Sequence, residues 1–354
     1  MRVLLVHERF HPDNAGGGEY IALERAKGLM AAGHEVRVIC AGDPAITEVE
    51  GVPTERLRLP RPALGLALPR LMRAARRADI VHAFNYYAAA PALAAARMVG
   101  RPAVCEQLGL FGHAWRRMRP GATGRAFEWL ERRLLHLPYD RYLFLSPFSR
   151  DLALTLNPRL GPSEIVRPGL PPATEGGVAP APAEGRAPGV LFAGKLDDRK
   201  GFDRFLRLAQ ARPDWCFEVF GWCAEGTGPP GMPANVALTL SRDRGGYRAA
   251  LARASVLFMP SRAETFGLVI YEAMQSGLAV VSTVPGEYAG AWLETYSHEA
   301  AETALAARLD DPARAAAEGR ANQETAAAYT WARSIEEVVA VYRAVLAGRG
   351  LSAG

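Results

Sequence analysis

Two glutamates eight residues apart, Glu264 and Glu272, stand in the segment PSRAETFGLVIYEAMQSGLAVVS at 260–282, and two of the three lysines in the chain, Lys195 and Lys200, stand in LFAGKLDDRKG at 191–201. A buried strand is expected to end at Met259 and a helix to begin near Gly267. The N–H groups of Phe266, Gly267 and Leu268, with Thr265 beside them, then lie at a helix N-terminus, where unpaired donors and the dipole favour an anion such as a diphosphate. Glu272 falls one turn into that helix and Glu264 stands before it. This spacing does not suit two carboxylates flanking one glycosidic bond, so the pair divides its work. Glu264 is placed to accept hydrogen bonds from sugar hydroxyls, Glu272 from a ribose diol. Among 42 Lys and Arg residues arginine is the default. A lysine kept in a glycine-flanked loop therefore suggests a compact point charge, as phosphate clamps use.

A further glycine-rich turn, Gly16-Gly17-Gly18-Glu19, opens the first long helix. Glycine lets a ligand approach the backbone, and the helix adds a positive end. It is a poor dinucleotide fingerprint, because Gly16 comes ten residues after Val6 instead of following the strand at once. The chain has no D-x-D, so a carboxylate-held metal bridging a diphosphate is not indicated, and no cofactor is expected. Cys40, Cys105, Cys216 and Cys223 form no C-x-x-C pair and read as buried free thiols.

Elements must hold these residues in place. At 354 residues the chain is too long for one core, and two domains are expected. Short β-rich runs alternate with helical stretches, the pattern of parallel sheets covered on both faces. The first series is Val3–Val6, Val36–Cys40, Ile80–Phe84, Ala103–Glu106 and Tyr142–Leu145, with a helix over Tyr20–Ala32. The second is Val190–Ala193, Phe217–Phe220, Val236–Leu240, Val256–Met259 and Val280–Ser282, with helices from Gly201, Tyr247, Gly267 and Glu299. Between the series, 171–188 holds five prolines and three glycines and reads as a linker. The domains are accordingly 1–170 and 189–329. A helix over 330–354 starts at a Thr330 cap, and Trp331, Ile335, Val338, Val339, Tyr342 and Leu346 form an apolar stripe that needs a partner.

Residues 1–170 carry 24 basic and 16 acidic side chains, a net +8, whereas 171–354 carry 18 and 21, a net −3. The arginines at 56–77 and 116–133 suit an anionic acceptor or a membrane surface. They lack the interleaved aromatics of a nucleic-acid platform. No apolar stretch reaches the ~20 residues of a spanning helix, and the N-terminus lacks a secretory apolar region, so a cytoplasmic protein is expected.

The 260–282 segment resembles the EX7E signature of retaining glycosyltransferases of the GT-B fold, family four, matching at Pro260, Ser261, Glu264, Phe266, Gly267, Glu272, Ala273, Gly277, Val280 and Val281. The resemblance implies two Rossmann-like domains, an inter-domain cleft, and a C-terminal helix that crosses back to the first domain. It implies a nucleoside diphosphate sugar donor, with UDP the commonest, and metal-independent transfer with retention. The family's first glutamate contacts the donor sugar and its second the ribose. Its F-x-G-R…K-G motif, which binds the diphosphate, corresponds to Phe192-Ala193-Gly194-Lys195 and Lys200-Gly201, with Lys195 in place of Arg. Gly17 and Gly18 match its glycine-rich loop. Where the family usually has a His near the donor sugar this chain has Gln107, with His113 six residues on. The resemblance thus implies Glu264, Lys200 and Gln107 in catalysis. It implies Gly17, Gly18, Lys195, Lys200, Glu264, Thr265, Phe266, Gly267, Leu268 and Glu272 around the donor. An inverting GT-B transferase, a sugar-nucleotide epimerase and a non-catalytic nucleotide-sugar-binding subunit are the alternatives.

Overall fold

The apolar runs form the central strands, because β-branched and aromatic side chains pack well on a pleated surface covered from both sides. The computed structural model describes residues 1–12, 16–172, 186, 189–223 and 231–351. Its first elements are β1 (Arg2–Arg9), α1 (Gly17–Ala31), β2 (Glu35–Ala41), β3 (Glu48–Val49), β4 (Val52–Leu57), α2 (Leu68–Arg77), β5 (Ile80–Phe84), α3 (Ala89–Met98), β6 (Ala103–Gln107), α4 (Ala114–Met118), α5 (Ala122–Leu134), β7 (Arg141–Phe144), α6 (Pro147–Leu156) and β8 (Ser163–Ile165). There follow β9 (Val190–Lys195), α7 (Phe202–Ala211), β10 (Phe217–Trp222), β11 (Val236–Leu240), α8 (Arg244–Arg253), β12 (Val256–Met259), α9 (Leu268–Gln275), β13 (Ala279–Ser282), β14 (Gly290–Trp292), α10 (His298–Leu309), α11 (Pro312–Ala326) and α12 (Trp331–Gly348).

The strands build two sheets, ordered β3-β4-β2-β1-β5-β6-β7-β8 and β11-β10-β9-β12-β13-β14. Every pairing is parallel except the short β3–β4 ladder. The strand order turns from descending to ascending between β1 and β5 in the first sheet, and between β9 and β12 in the second. At such a switch point the connections leave in opposite directions and open a crevice at the strand C-termini. In the second sheet Val190 pairs with Val256, so the loops after β9 and β12 emerge side by side.

The chain divides into two compact units, Met1–Gly169 with Thr330–Gly354, and Leu170–Tyr329. The first therefore ends one residue before the expected 170. Of the expected 171–188 linker, 173–185 and 187–188 lie outside the described residues. Pro171 and Pro172 are fastened to the second unit: their carbonyls accept from Arg248 Nη2, and Gln275 Nε2 donates to Pro171 O at 3.1 Å. Arg186 donates to the carbonyls of Leu251, Ala254 and Ser276.

In the first unit alternate strand residues face opposite layers. Leu4 and Val6 pack with α2, α3 and α5, and Val3 and Leu5 with α1 and α12. Ile335, Val338, Val339 and Tyr342 of α12 are buried in that second cluster, and the predicted Thr330 cap accepts from Arg333 N–H at 3.3 Å. A buried ionic network ties the same helix down. Arg25 of α1 donates to both Glu106 oxygens, at 2.7 and 3.3 Å, and to Ser334 Oγ at 2.7 Å. His82 lies between Glu106, at 3.2 Å, and Tyr342 Oη, at 2.6 Å. Burial opposes ionisation of Glu106, but Arg25 and His82 hold its carboxyl down to about 2.

Several expectations need correction. The sequence reading does not include strands β3, β4, β8 and β14: the first and last two are two or three residues long, and in β4 a proline and the polar Thr54, Glu55 and Arg56 hide the strand. Helix α1 starts at Gly17, three residues earlier than predicted, with Gly16 as its cap. Cys216 is exposed and Cys223 half-buried; only Cys40 and Cys105 are buried thiols. Cys216 precedes β10 between Trp215 and Phe217, both of which take the inner positions.

Candidate active site

The two loops at the β9/β12 switch point are joined by several contacts. Asp197 Oδ1 accepts from Lys200 N–H at 3.0 Å, capping a 3₁₀ turn over Asp198–Lys200. Gly201 follows with φ of 72°, and a Cβ there would lie 2.0 Å from the Pro260 carbonyl oxygen. Glycine alone satisfies both the left-handed backbone and the close approach. Arg262 N–H donates to Arg199 O at 2.8 Å, and its guanidinium grips both Asp203 oxygens, at 2.5 and 2.7 Å. That bidentate hydrogen bond holds the Asp203 carboxyl below its ordinary range.

This scaffold brings Lys200 Nζ into a hydrogen-bonded ion pair with Glu264 Oε2, and Arg199 Nη1 lies 3.3 Å from the same oxygen. Glu264 Oε1 accepts from Thr265 N–H at 3.2 Å. Only 13% of the Glu264 side chain and 12% of Lys200 are exposed, so the pair is weakly screened. Burial pushes the Glu264 carboxyl up, but Lys200 and then Arg199 outweigh it and bring it to about 2. Glu264 is an ionised acceptor at neutral pH and cannot serve there as a general acid.

Downstream, Phe266 stacks on Tyr271 with ring centroids 4.2 Å apart and planes 5° apart, which fixes the entry into α9. Gly267 is its N-cap, with φ of 75° and no side-chain cap, so the amides of Leu268 and Val269 open the first turn without intrahelical acceptors, while Ile270 N–H already donates to Gly267 O at 2.8 Å. Glu272 is buried in α9 with Arg244 Nη2 on Oε1 at 2.8 Å and Tyr247 Oη on Oε2 at 2.9 Å. Burial and the neighbouring carboxylate raise the Tyr247 hydroxyl well above its ordinary range, so it stays a donor. Lys195 is less committed: Nζ lies 3.3 Å from Asp197 Oδ2 and 5.5 Å from the centre of the Trp222 ring.

The structure thus brings Lys200, Glu264 and Thr265 into one cluster at the end of β9 and β12. Three partners escaped the sequence reading: Arg199 beside Lys200, and Arg244 and Tyr247 on Glu272. The Arg-Lys step at 199–200 was the available signal for the first. The other two face Glu272 across 25 or more residues of sequence, with no motif to flag them.

The other predicted residues lie in the first unit. Gly17 and Gly18 begin α1, and neither needs a left-handed backbone. A Cβ on Gly18 would make only ordinary contact, 3.5 Å from Leu108. Gln107 ends β6, is 2% exposed and donates from Nε2 to Cys105 Sγ at 3.2 Å. His113 is an exposed residue paired with Glu128 at 2.8 Å. Among the described residues no group of three or more His, Cys, Asp or Glu is placed to hold a metal ion, and no helix is long and apolar enough to cross a membrane.

Residues 16–169 match the glycosyl transferase 4-like domain, and residues 187–319 match glycosyl transferases group 1. The chain belongs to the family-four glycosyltransferases. This transferase is 29% identical to the GDP-mannose-dependent alpha-mannosyltransferase of Mycolicibacterium smegmatis, with 100% of both chains covered. It is 35% identical to D-inositol 3-phosphate glycosyltransferase 1 of Catenulispora acidiphila, over 29% of its own length and 26% of that protein. Among solved structures it resembles Anabaena HepE in complex with UDP-glucose, with a TM-score of 0.73, 16% identity and coverage of 97% of this chain and 100% of the other. The transferase has the GT-B fold, two parallel-sheet α/β domains.

Proposed function

We propose that the enzyme moves a sugar from a nucleoside diphosphate sugar, UDP-linked, to an acceptor bound mainly by the first domain, with retention of anomeric configuration and without a metal ion. The observation that carries this reading is the convergence of Lys200 and Arg199 on Glu264 beside the N-terminus of α9. A diphosphate reaching that place meets two cations and the opening turn of α9, and a sugar attached to it meets an ionised carboxylate. In the transfer the bond from C1 to the diphosphate oxygen breaks and its electron pair leaves with the nucleoside diphosphate. The acceptor hydroxyl oxygen bonds to C1 and its proton passes to the leaving diphosphate. Lys200, Arg199 and the α9 dipole offset the charge that grows on the leaving group. Glu264 orients the sugar hydroxyls. Glu272, already ordered by Arg244 and Tyr247, receives the ribose diol. Thr265 and Lys195 complete the donor contacts within the second unit.

The uridine donor is favoured by the fold shared with a protein solved with UDP-glucose. The full-length likeness to a GDP-mannose-dependent enzyme makes GDP-mannose its competitor. Calorimetric titration of UDP, GDP and their sugars, followed by NMR of the product anomer, tests the reading. Tighter binding of UDP and an anomer matching the donor's support it. Tighter binding of GDP transfers the proposal to guanosine, and an opposite anomer refutes retention.

A further inference from the structure

From Arg56 to Tyr139 the chain carries fifteen arginines, no lysine and only four carboxylates, Asp79, Glu106, Glu128 and Glu131. All four carboxylates are buried. Asp79 is held by Arg2 at 2.7 Å, Glu106 by Arg25 at 2.7 Å, and Glu128 by His113 at 2.8 Å and Arg116 at 2.5 Å. Glu131 accepts from Tyr86 Oη, Trp115 Nε1 and the amides of Phe111 and Gly112. Ten of the arginines are exposed. Eighty-four residues of surface thus present positive charge with no exposed negative charge among them.

The helices concerned share one face of the eight-stranded sheet. Leu71 of α2, Leu93 of α3 and Leu134 of α5 all pack in the cluster of Leu4 and Val6, whereas α1 and α12 cover the opposite side. Along α5 an exposed stripe runs Arg125, Trp129, Arg133 at steps of four. Trp129 is 59% exposed, and the Arg133 guanidinium lies 5.4 Å from its ring centre. Leu66, in the turn before α2, is 77% exposed on the same layer.

Isolated arginines would need no explanation, but this face combines a large excess of exposed arginine over carboxylate, with Asp151 of α6 an exposed acid on the same layer, and an exposed indole flanked by guanidiniums. Guanidiniums neutralise lipid phosphates, and an indole seats its apolar body at head-group depth. We propose that this face docks the enzyme on an anionic lipid bilayer. The proposal holds whatever the donor and acceptor are, so it stands or falls apart from the function proposed above. A soluble polyanion would recognise the charge equally but would have no use for Trp129.

The full chain is sedimented with vesicles of phosphatidylglycerol mixed with phosphatidylcholine, and with phosphatidylcholine alone. Binding should need the anionic lipid and weaken as salt rises. Each arginine near such a surface adds about fivefold in affinity, so Arg125→Glu and Arg133→Glu, each removing two units of charge, should weaken binding about 25-fold apiece. Lipids brominated on the acyl chain should quench fluorescence of the wild type more than that of Trp129→Phe. All three positions are on the solvent face of α5, and unchanged thermal unfolding of the variants checks that they fold. Equal binding to both vesicle types would overturn the proposal. So would wild-type affinity in the charge reversals, or heparin binding as tight as vesicle binding with no bromolipid quenching assigned to Trp129.

Discussion

Replacing Lys200 by alanine removes the ammonium nearest Glu264 and leaves Arg199, 3.3 Å from the same oxygen, as the remaining cation on it. Since only 12% of Lys200 is exposed, its charge acts through protein more than through water. In the proposed transfer it faces a diphosphate whose charge grows as the glycosidic bond breaks, so its contribution is larger in the transition state than in the ground state. By analogy with removal of one oxyanion donor, Lys200→Ala should cost about 3–4 kcal/mol, or about 10²–10³ in kcat, with a smaller rise in donor KM. Lys200→Arg should also be impaired, because the ammonium sits in a tight turn closed by Asp197 and Gly201, where a planar fork is a poor substitute. Lys195→Arg should be mild, since Lys195 is 36% exposed and, among the described residues, lies against Asp197 and the Trp222 ring. Steady-state kinetics of donor turnover compares the three, and thermal unfolding separates a lost catalytic contact from a lost structural one. A folded Lys200→Ala enzyme within about threefold of wild type would mean that the diphosphate is held elsewhere.

Glu264→Gln should abolish transfer with nucleoside diphosphate affinity nearly intact, whereas Glu272→Ala should weaken nucleotide binding; calorimetry giving the reverse pattern would show the two roles exchanged. Activity should survive EDTA, and a complete loss restored by magnesium or manganese would end the metal-free mechanism. The pH dependence of stability has a defined sign: folding lowers Glu264 from its ordinary 4.5 to about 2, so its contribution is complete above 4.5 and is lost as pH falls towards 2. Wild-type unfolding temperature should therefore fall more steeply than that of Glu264→Gln below about pH 4.5, and parallel curves would contradict the ion pair.

The chemistry-bearing half of the molecule was unusually legible in the sequence. Val256–Met259 is wholly buried and reads as a strand without ambiguity, and Gly201 and Gly267 mark the left-handed turns that begin α7 and α9. These are local properties. Glu264 reads from the sequence as an acceptor for hydroxyls, but the approach of Lys200, 64 residues away in sequence, follows from sheet order and from the clearance at Gly201. The Arg244 and Tyr247 grip on Glu272 likewise depends on how α8 faces α9, which no periodicity encodes. Gln107 donates to its strand neighbour Cys105, a contact that only the backbone pleat reveals. The short edge strands were missed because two or three residues cannot display alternation.

The manner in which α12 completes the first unit bears on how the protein comes off the ribosome. Ile335, Val338 and Tyr342 fill a cluster built by β1, β2, β5 and α1, and Ser334 satisfies Arg25. Until they arrive, the groove over α1 is open, and Gly28, against which Ile335 packs so closely that a Cβ would fall 2.4 Å from it, has nothing above it. The whole of Leu170–Tyr329 must be synthesised in that interval. The half of the enzyme made first is thus the half finished last, with an apolar surface and a buried-to-be ion pair exposed meanwhile. It is the stage at which a chaperone would find this chain, and a fragment stopping at Gly169 would remain in that state.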